Sequence, residues 1–197
     1  MRQLVVFEGF GGQGTKSAGD LIVAALFHQG VRVQGMPMFE PLQMGGIVTY
    51  FISIDSDGDR VIPTHDRDAY VMMHNRLFTE RHALTVRPGG IVLINAPDVP
   101  PHLQAADRAM AVIDGDMIAR QHRLVKANVP NISTVMAGAF ARISGVVALE
   151  SLEQATRELF PKSVSDNLHA LRAGYDRVAM GKTANSRQVA LLESLGS

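Results

Sequence analysis

The stretch Phe7–Asp20, FEGFGGQGTKSAGD, sets Gly9, Gly11 and Gly14 in a G-x-G-x-x-G pattern, with a further glycine at Gly12. A glycine turn between a strand and a helix lets backbone N–H groups approach an anion closely, and the helix N-terminus adds favourable partial charge. A phosphate or diphosphate is the guest that such a turn suits. A nicotinamide or flavin dinucleotide needs a second clamp, a carboxylate at the end of the next strand about 20 residues on, to hold the ribose hydroxyls. Here that strand ends in Gln34-Gly35-Met36-Pro37, with no carboxylate before Glu40. A free-standing dinucleotide site therefore stays open only as an alternative. Glycines that serve nothing but a tight turn and close helix packing are another.

Other chemistry is sparse. The histidines, His28, His65, His74, His82, His102, His122 and His169, show no metal-ligand spacing. Ser17, Ser133 and Ser144 lack the context of a nucleophile elbow. Met36, Met38 and Met44 flank an aperiodic stretch, where flexible thioethers serve either as a contact surface or as core filling. No catalytic residue and no metal ligand is read in the chain.

The elements that must position the turn follow from periodicity. Leu4–Phe7 is a short apolar run entering the glycines, and Ala18, Leu21, Ile22, Ala25 and Leu26 recur at helical spacing after them. Gly30 stands where a left-handed terminator belongs, and Val31–Gln34 reads as a second strand. Gly35–Gly46 reads as a loop; Ile47–Ile54 is predicted to pair with Arg60–Ile62 as a hairpin across an Asp-Gly turn. Ala69–His74 and Gly90–Asn95 read as strands covered on both faces, joined by a helix that ends near RPGG. Ala109–Asp114 reads as a further strand and Met117–Leu124 as a polar helix. Asn131–Gly145 is a small-residue helix with Asn131 as its cap. Ser151 and Gln154 stand at capping-box spacing at the start of the next helix, and Leu168, Leu171, Tyr175 and Val178 form the stripe of the last.

Composition bounds the function classes. A chain of 197 residues, 46% hydrophobic, builds one substantial core, and 19 basic against 19 acidic residues give no global field for nucleic acid or anionic membrane. With no cysteine, the chain cannot hold a thiolate-ligated iron–sulfur cluster, so any electron-transfer chemistry belongs to a partner. No run has the length of a signal h-region or a membrane span, so the expected address is the cytoplasm. The fold class expected is a three-layer α/β/α sandwich with a mixed, mostly parallel sheet, as a single domain over residues 1–181 followed by a tail over 182–197.

Four segments together, GFGGQGTKSAGDLIVAAL, MGGIVTYFIS, PNISTVMAGAF and NLHALRAGYDRVA, resemble the gamma subunit or gamma domain of thiamine-diphosphate-dependent 2-oxoacid:ferredoxin (acceptor) oxidoreductases, the pyruvate, 2-oxoglutarate, phenylglyoxylate and indolepyruvate type. The resemblance runs from about Leu4 to Ala179. It implies a non-redox gamma component that covers the active site, with alpha, beta and ferredoxin-like subunits as partners holding the thiamine diphosphate and the iron–sulfur clusters. It also implies CoA at a shared site, carried onto Gly9, Gly11, Gly12, Gln13, Gly14 and Thr15 in the first loop and onto Gly45 and Gly46 in the second. Many relatives have a basic or polar residue before the paired glycines. This chain has Met44, which cannot pair with a phosphate. Lys16 is then the candidate substitute charge, with a solvated helix lysine as the alternative. A purely structural assembly subunit is the remaining alternative of a different class.

Overall fold

A computed structural model describes residues 3–40, 46–54, 67–74, 85–101 and 109–181. In chain order these form β1 (Gln3–Phe10), α1 (Thr15–His28), β2 (Val33–Phe39), β3 (Ile47–Ile54), β4 (Arg67–Met72), β5 (Val86–Asn95) and β6 (Ala109–Ile113). They continue as α2 (Gly115–Gln121), β7 (Val125–Lys126), β8 (Val129–Pro130), α3 (Ser133–Ser144), α4 (Leu149–Leu159), α5 (Val164–Arg177) and β9 (Ala179–Met180). Met44, Gly45, the Arg60–Ile62 half of the expected hairpin and the 182–197 tail lie outside the described residues.

Seven strands make one sheet in the order β2-β3-β1-β4-β5-β6-β9. The central strands β1, β4, β5 and β6 run parallel, whereas β3 pairs antiparallel with both β1 and β2, and β9 pairs antiparallel with β6. Both edges of β3 are thus taken along its length. Period-two alternation sends Val5, Phe7, Tyr50, Ile52, Val71, Leu93 and Ala111 to one face, where all five described helices pack. Leu4, Val6, Phe51, Tyr70, Met72, Val92, Ile94 and Met110 are buried on the other. Both faces of the mixed seven-stranded sheet are buried, as the three-layer α/β/α class requires.

Ala18, Leu21, Ile22, Ala25 and Leu26 are fully buried, so the helical stripe read from spacing is the face α1 lays on the sheet. Gly30 follows in the left-handed conformation at φ 73 and ends it. Three readings change. Gly35–Phe39 is strand, not loop: β2 is the sheet edge, where Pro37 removes no interior ladder bond. The RPGG segment lies inside β5, where three extra residues between the Arg67–Val86 and Ala69–Ile91 pairs make a bulge. Ser151 lies inside α4, whose cap position is Ala148, and Gln154 donates to Glu158 instead.

The second helical segment is held by backbone contact. A Cβ on Gly138 of α3 would strike the carbonyl oxygen of Leu171, and one on Gly174 of α5 would strike the carbonyl oxygen of Val135. Each helix therefore offers a glycine to the other's main chain, which explains the small residues in both motifs. Phe140 then reaches Phe7 of β1 edge to face, with ring centroids 5.6 Å apart. Gly138→Ala forces two rigid backbones apart and is expected to destabilise the fold by about 3 kcal/mol, read as a lowered urea midpoint. An unchanged midpoint would show that the helices can separate freely.

Candidate functional site

The turn Gly11–Gly14 joins the end of β1 to the start of α1, at the carboxyl edge of the parallel strands. From β1 the chain moves outward through α1 to β2, whereas β4, β5 and β6 step the other way. The strand order therefore reverses between β1 and β4, and the crevice outside that reversal is where open α/β sheets bind ligands. Register sets the next neighbour. Phe10 stands opposite Ile47, so the residue before β3 falls beside the turn, and the Gly11 N–H donates to the Gly46 carbonyl at 3.0 Å. Two glycine segments far apart in sequence are in this way joined.

Gln13 is the strut of the turn. Its side chain, 7% exposed, accepts from the Phe10 N–H at 2.8 Å and donates to the Met73 carbonyl at 3.2 Å. Its main chain donates to the Phe10 carbonyl and accepts from the Ile132 N–H. Asn95, at the end of β5, donates to the same Met73 carbonyl at 3.0 Å and to Asp116, and it accepts from the Gly115 N–H. One carbonyl at the end of β4 thus gathers β1, β5 and the start of α2. Both amides are occupied in holding the crevice, so neither is free to turn toward a ligand. The strut role of Asn95 was not read from sequence, although a lone amide closing the apolar run GIVLIN is its signal.

Two helices aim their N-termini here. Gly14 has φ 90, and a Cβ on it would strike the Asn131 side chain, so only glycine lets the turn close onto the start of α3. The cap position of α3 is Ile132, one residue later than expected; Asn131, just before it, accepts from the N–H and hydroxyl of Ser133 at 3.2 and 2.7 Å and so still holds the first residue of the helix. α1 has no side-chain cap and no acidic residue in its first turn. Among the described residues no hydrogen bond engages the N–H groups of Gly12, Gly14, Thr15, Lys16 or Ser17. Thr15 is 2% exposed, and its buried hydroxyl has no partner among the described residues.

Lys16 does not stand over the turn as an unpaired charge: it is half exposed and bonds Asp20 one turn along α1 at 2.5 Å. Asp20 also accepts from the Tyr50 hydroxyl at 2.8 Å. Burial, with the Asp20 carboxylate adding to it, pushes that hydroxyl above its ordinary range. Gly9 lies beneath the turn, where a Cβ would meet Met73 and Thr15 at 2.6 and 2.7 Å. On the far side of the crevice His74 packs edge to face on Phe10, with ring centroids 4.9 Å apart. It lines a cleft of about 120 Å³ with Asn95, Ala96, Pro97, Asp114 and Asp116. The two carboxylates make that cleft a poor seat for phosphate, which leaves the turn as the candidate face for an anion. Among the described residues no three acidic or histidine side chains gather as a metal site, and no helix is long and apolar enough to cross a membrane.

Residues 4–177 match the family described as pyruvate ferredoxin/flavodoxin oxidoreductase. The pyruvate/ketoisovalerate oxidoreductases common subunit gamma of Pyrococcus furiosus is 30% identical over 183 residues, covering 88% of this chain and 95% of that protein. The pyruvate synthase subunit PorC of Methanothermobacter thermautotrophicus is 30% identical over 175 residues, covering 87% and 93%. Among solved structures, the pyruvate oxidoreductase subunit PORC of Thermotoga maritima superposes with a TM-score of 0.78 at 26% identity, over 91% of this chain and 98% of that one. A 2-oxoglutarate:ferredoxin oxidoreductase from Magnetococcus marinus, solved with 2-oxoglutarate, coenzyme A and succinyl-CoA, shares the fold with a TM-score of 0.72 at 20% identity. There the match covers 88% of this chain and 30% of the longer one.

Gln13→Ala leaves the Phe10 N–H without its partner and releases the turn from β4. It is expected to cost about 2 kcal/mol of stability, measured as a shift in urea midpoint at constant slope. A change within about 0.5 kcal/mol would mean that the strut is dispensable.

Proposed function

The chain belongs to the pyruvate ferredoxin/flavodoxin oxidoreductase family, as a gamma-type subunit of an oxidoreductase complex, and on that premise we propose that it covers the active site of a 2-oxoacid oxidoreductase and holds CoA by its diphosphate at the glycine turn. Its partners in this reading are the alpha, beta and ferredoxin-like subunits, working in the cytoplasm. Thiamine diphosphate and iron–sulfur clusters on those subunits supply decarboxylation and electron transfer, with CoA as the acyl acceptor.

The observation that carries the reading is the convergence of two helix N-termini on a turn where the N–H groups of Gly12, Gly14 and Thr15 are unengaged among the described residues. Each N-terminus contributes roughly half a positive charge, and a diphosphate offers acceptors to several N–H groups together. The amides of Gly12, Gly14 and Thr15 are the contacts proposed in this chain, with Gly46 tied to the turn through the Gly11 N–H; Gly45 stays a contact implied by the family resemblance alone. Gln13 and Gly9 act by shaping the turn. The free-standing dinucleotide reading is disfavoured by strand order. β3 stands between β1 and β2, so the end of β2, with Glu40 as the first residue beyond it, lies two strand spacings, roughly 10 Å, from the turn.

Purification from the native source tests the assembly. The chain is expected to co-elute with thiamine-diphosphate and iron–sulfur subunits, and elution alone and colourless would overturn the proposal. Within the complex, Gly12→Ala strains a φ of 97 and is expected to raise the KM for CoA by about tenfold with cluster content unchanged. An unaltered KM would place CoA elsewhere.

A further inference from the structure

The first segment after α2 is a hairpin whose place in the fold gives it a part in the same site. β7 and β8 pair Val125 with Pro130 and Lys126 with Val129, closed by Ala127 and Asn128 at φ 47 and 67. Two successive positive φ values make the tight two-residue turn that matches strand twist, and it fixes the register of a hairpin only two residues deep. Residues directly opposite in such a pair project from one face. Val129 shows which way that face looks: its Cγ1 lies 3.8 Å from the position of a Cβ on Gly12. Lys126, its opposite number, therefore projects from the hairpin face that looks toward the glycine turn.

Among the described residues charge at the turn is otherwise short, because Lys16 is bound to Asp20. Lys126 is exposed and has no ion pair or hydrogen bond among the described residues. We propose that Lys126 is the cation of the anion site, reaching from the hairpin over Gly12 to a diphosphate ester seated on the α1 N-terminus. The inference rests on the reading that the turn holds CoA by its diphosphate. The unengaged N–H groups of Gly12, Gly14 and Thr15 mark the place that ligand takes, whereas the Thr15 hydroxyl is turned beneath them toward Gly9. A lysine suits it, because a flexible stem carrying a point charge follows a phosphate without demanding bidentate geometry.

Calorimetry of the assembled complex with CoA tests it, with inorganic pyrophosphate as competitor. Lys126→Gln is expected to weaken CoA by about tenfold and to flatten the fall of affinity with salt, whereas Lys126→Arg restores most of both. Arg157→Gln, on the exposed face of α4 and of equal charge change, is expected to leave affinity within about twofold. Wild-type affinity and salt dependence in Lys126→Gln would overturn the role of Lys126 while leaving the turn as the CoA site. Failure of pyrophosphate to compete with CoA in the wild-type complex would instead overturn the reading on which it rests. Equal losses in Lys126→Gln and Arg157→Gln would reduce the effect to net charge and also sink the proposal.

Discussion

Full-length antiparallel pairing of β1 with β3 constrains everything at the carboxyl edge of the sheet. It sets Ile47 opposite Phe10 and so delivers Gly46 to within hydrogen-bond distance of Gly11. The same insertion separates β2 from β1, so the acid-bearing second strand of a dinucleotide fold has no counterpart beside the turn. A shift of one residue in this register would exchange Phe7, Tyr50 and Ile52 with their neighbours across the sheet. The packing of both faces therefore holds the two glycine segments together.

Upon that frame the turn is rigid where it meets protein and open where it meets solvent. Gln13 and Asn95 fix the Met73 carbonyl from two sides, and Asn131 settles the start of α3 against Gly14. These bonds satisfy buried polar groups that would otherwise each cost about 1–3 kcal/mol. The amides at the start of α1 are engaged by none of them among the described residues. A scaffold whose struts are satisfied and whose outward donors are not is preorganised for an anion, because binding requires little further ordering. The acidic cleft around His74 bounds the same crevice and disfavours phosphate on that side.

Much of this was legible in the residues. The α1 stripe from Ala18 to Leu26, its Gly30 stop and the apolar runs of β4, β5 and β6 are local signals, and each appears in the structure, whereas the cap of α3 falls at Ile132, one residue after Asn131. The glycine turn was legible as a strand-to-helix turn for the same reason. Strand neighbours were not: β3 is as apolar and β-branched as any central strand, and nothing local says that it enters between β1 and β2. The extension of β2 through Pro37 was hidden because proline and methionine read as loop, a penalty that an edge strand does not incur. Ser151 mimicked a cap because the capping-box spacing also occurs inside helices. At the site, Gln13 read as a ligand contact, and the bonds of its side chain to Phe10 and Met73, which span the turn and β4, were not legible. The β7–β8 hairpin was invisible because two-residue strands have no periodicity and Ala-Asn is a weak turn signal.

The central claim is that the diphosphate of CoA rests on the amides of the glycine turn at the α1 N-terminus. Hydrogen–deuterium exchange on the assembled complex, with and without CoA, measures those amides directly. The account predicts slowed exchange in the peptide spanning Gly11–Ser17, with a smaller effect at Gly46, and little change in the cleft lined by Asp114 and Asp116. Protection confined to other segments of this chain, or to partner subunits alone, would contradict it.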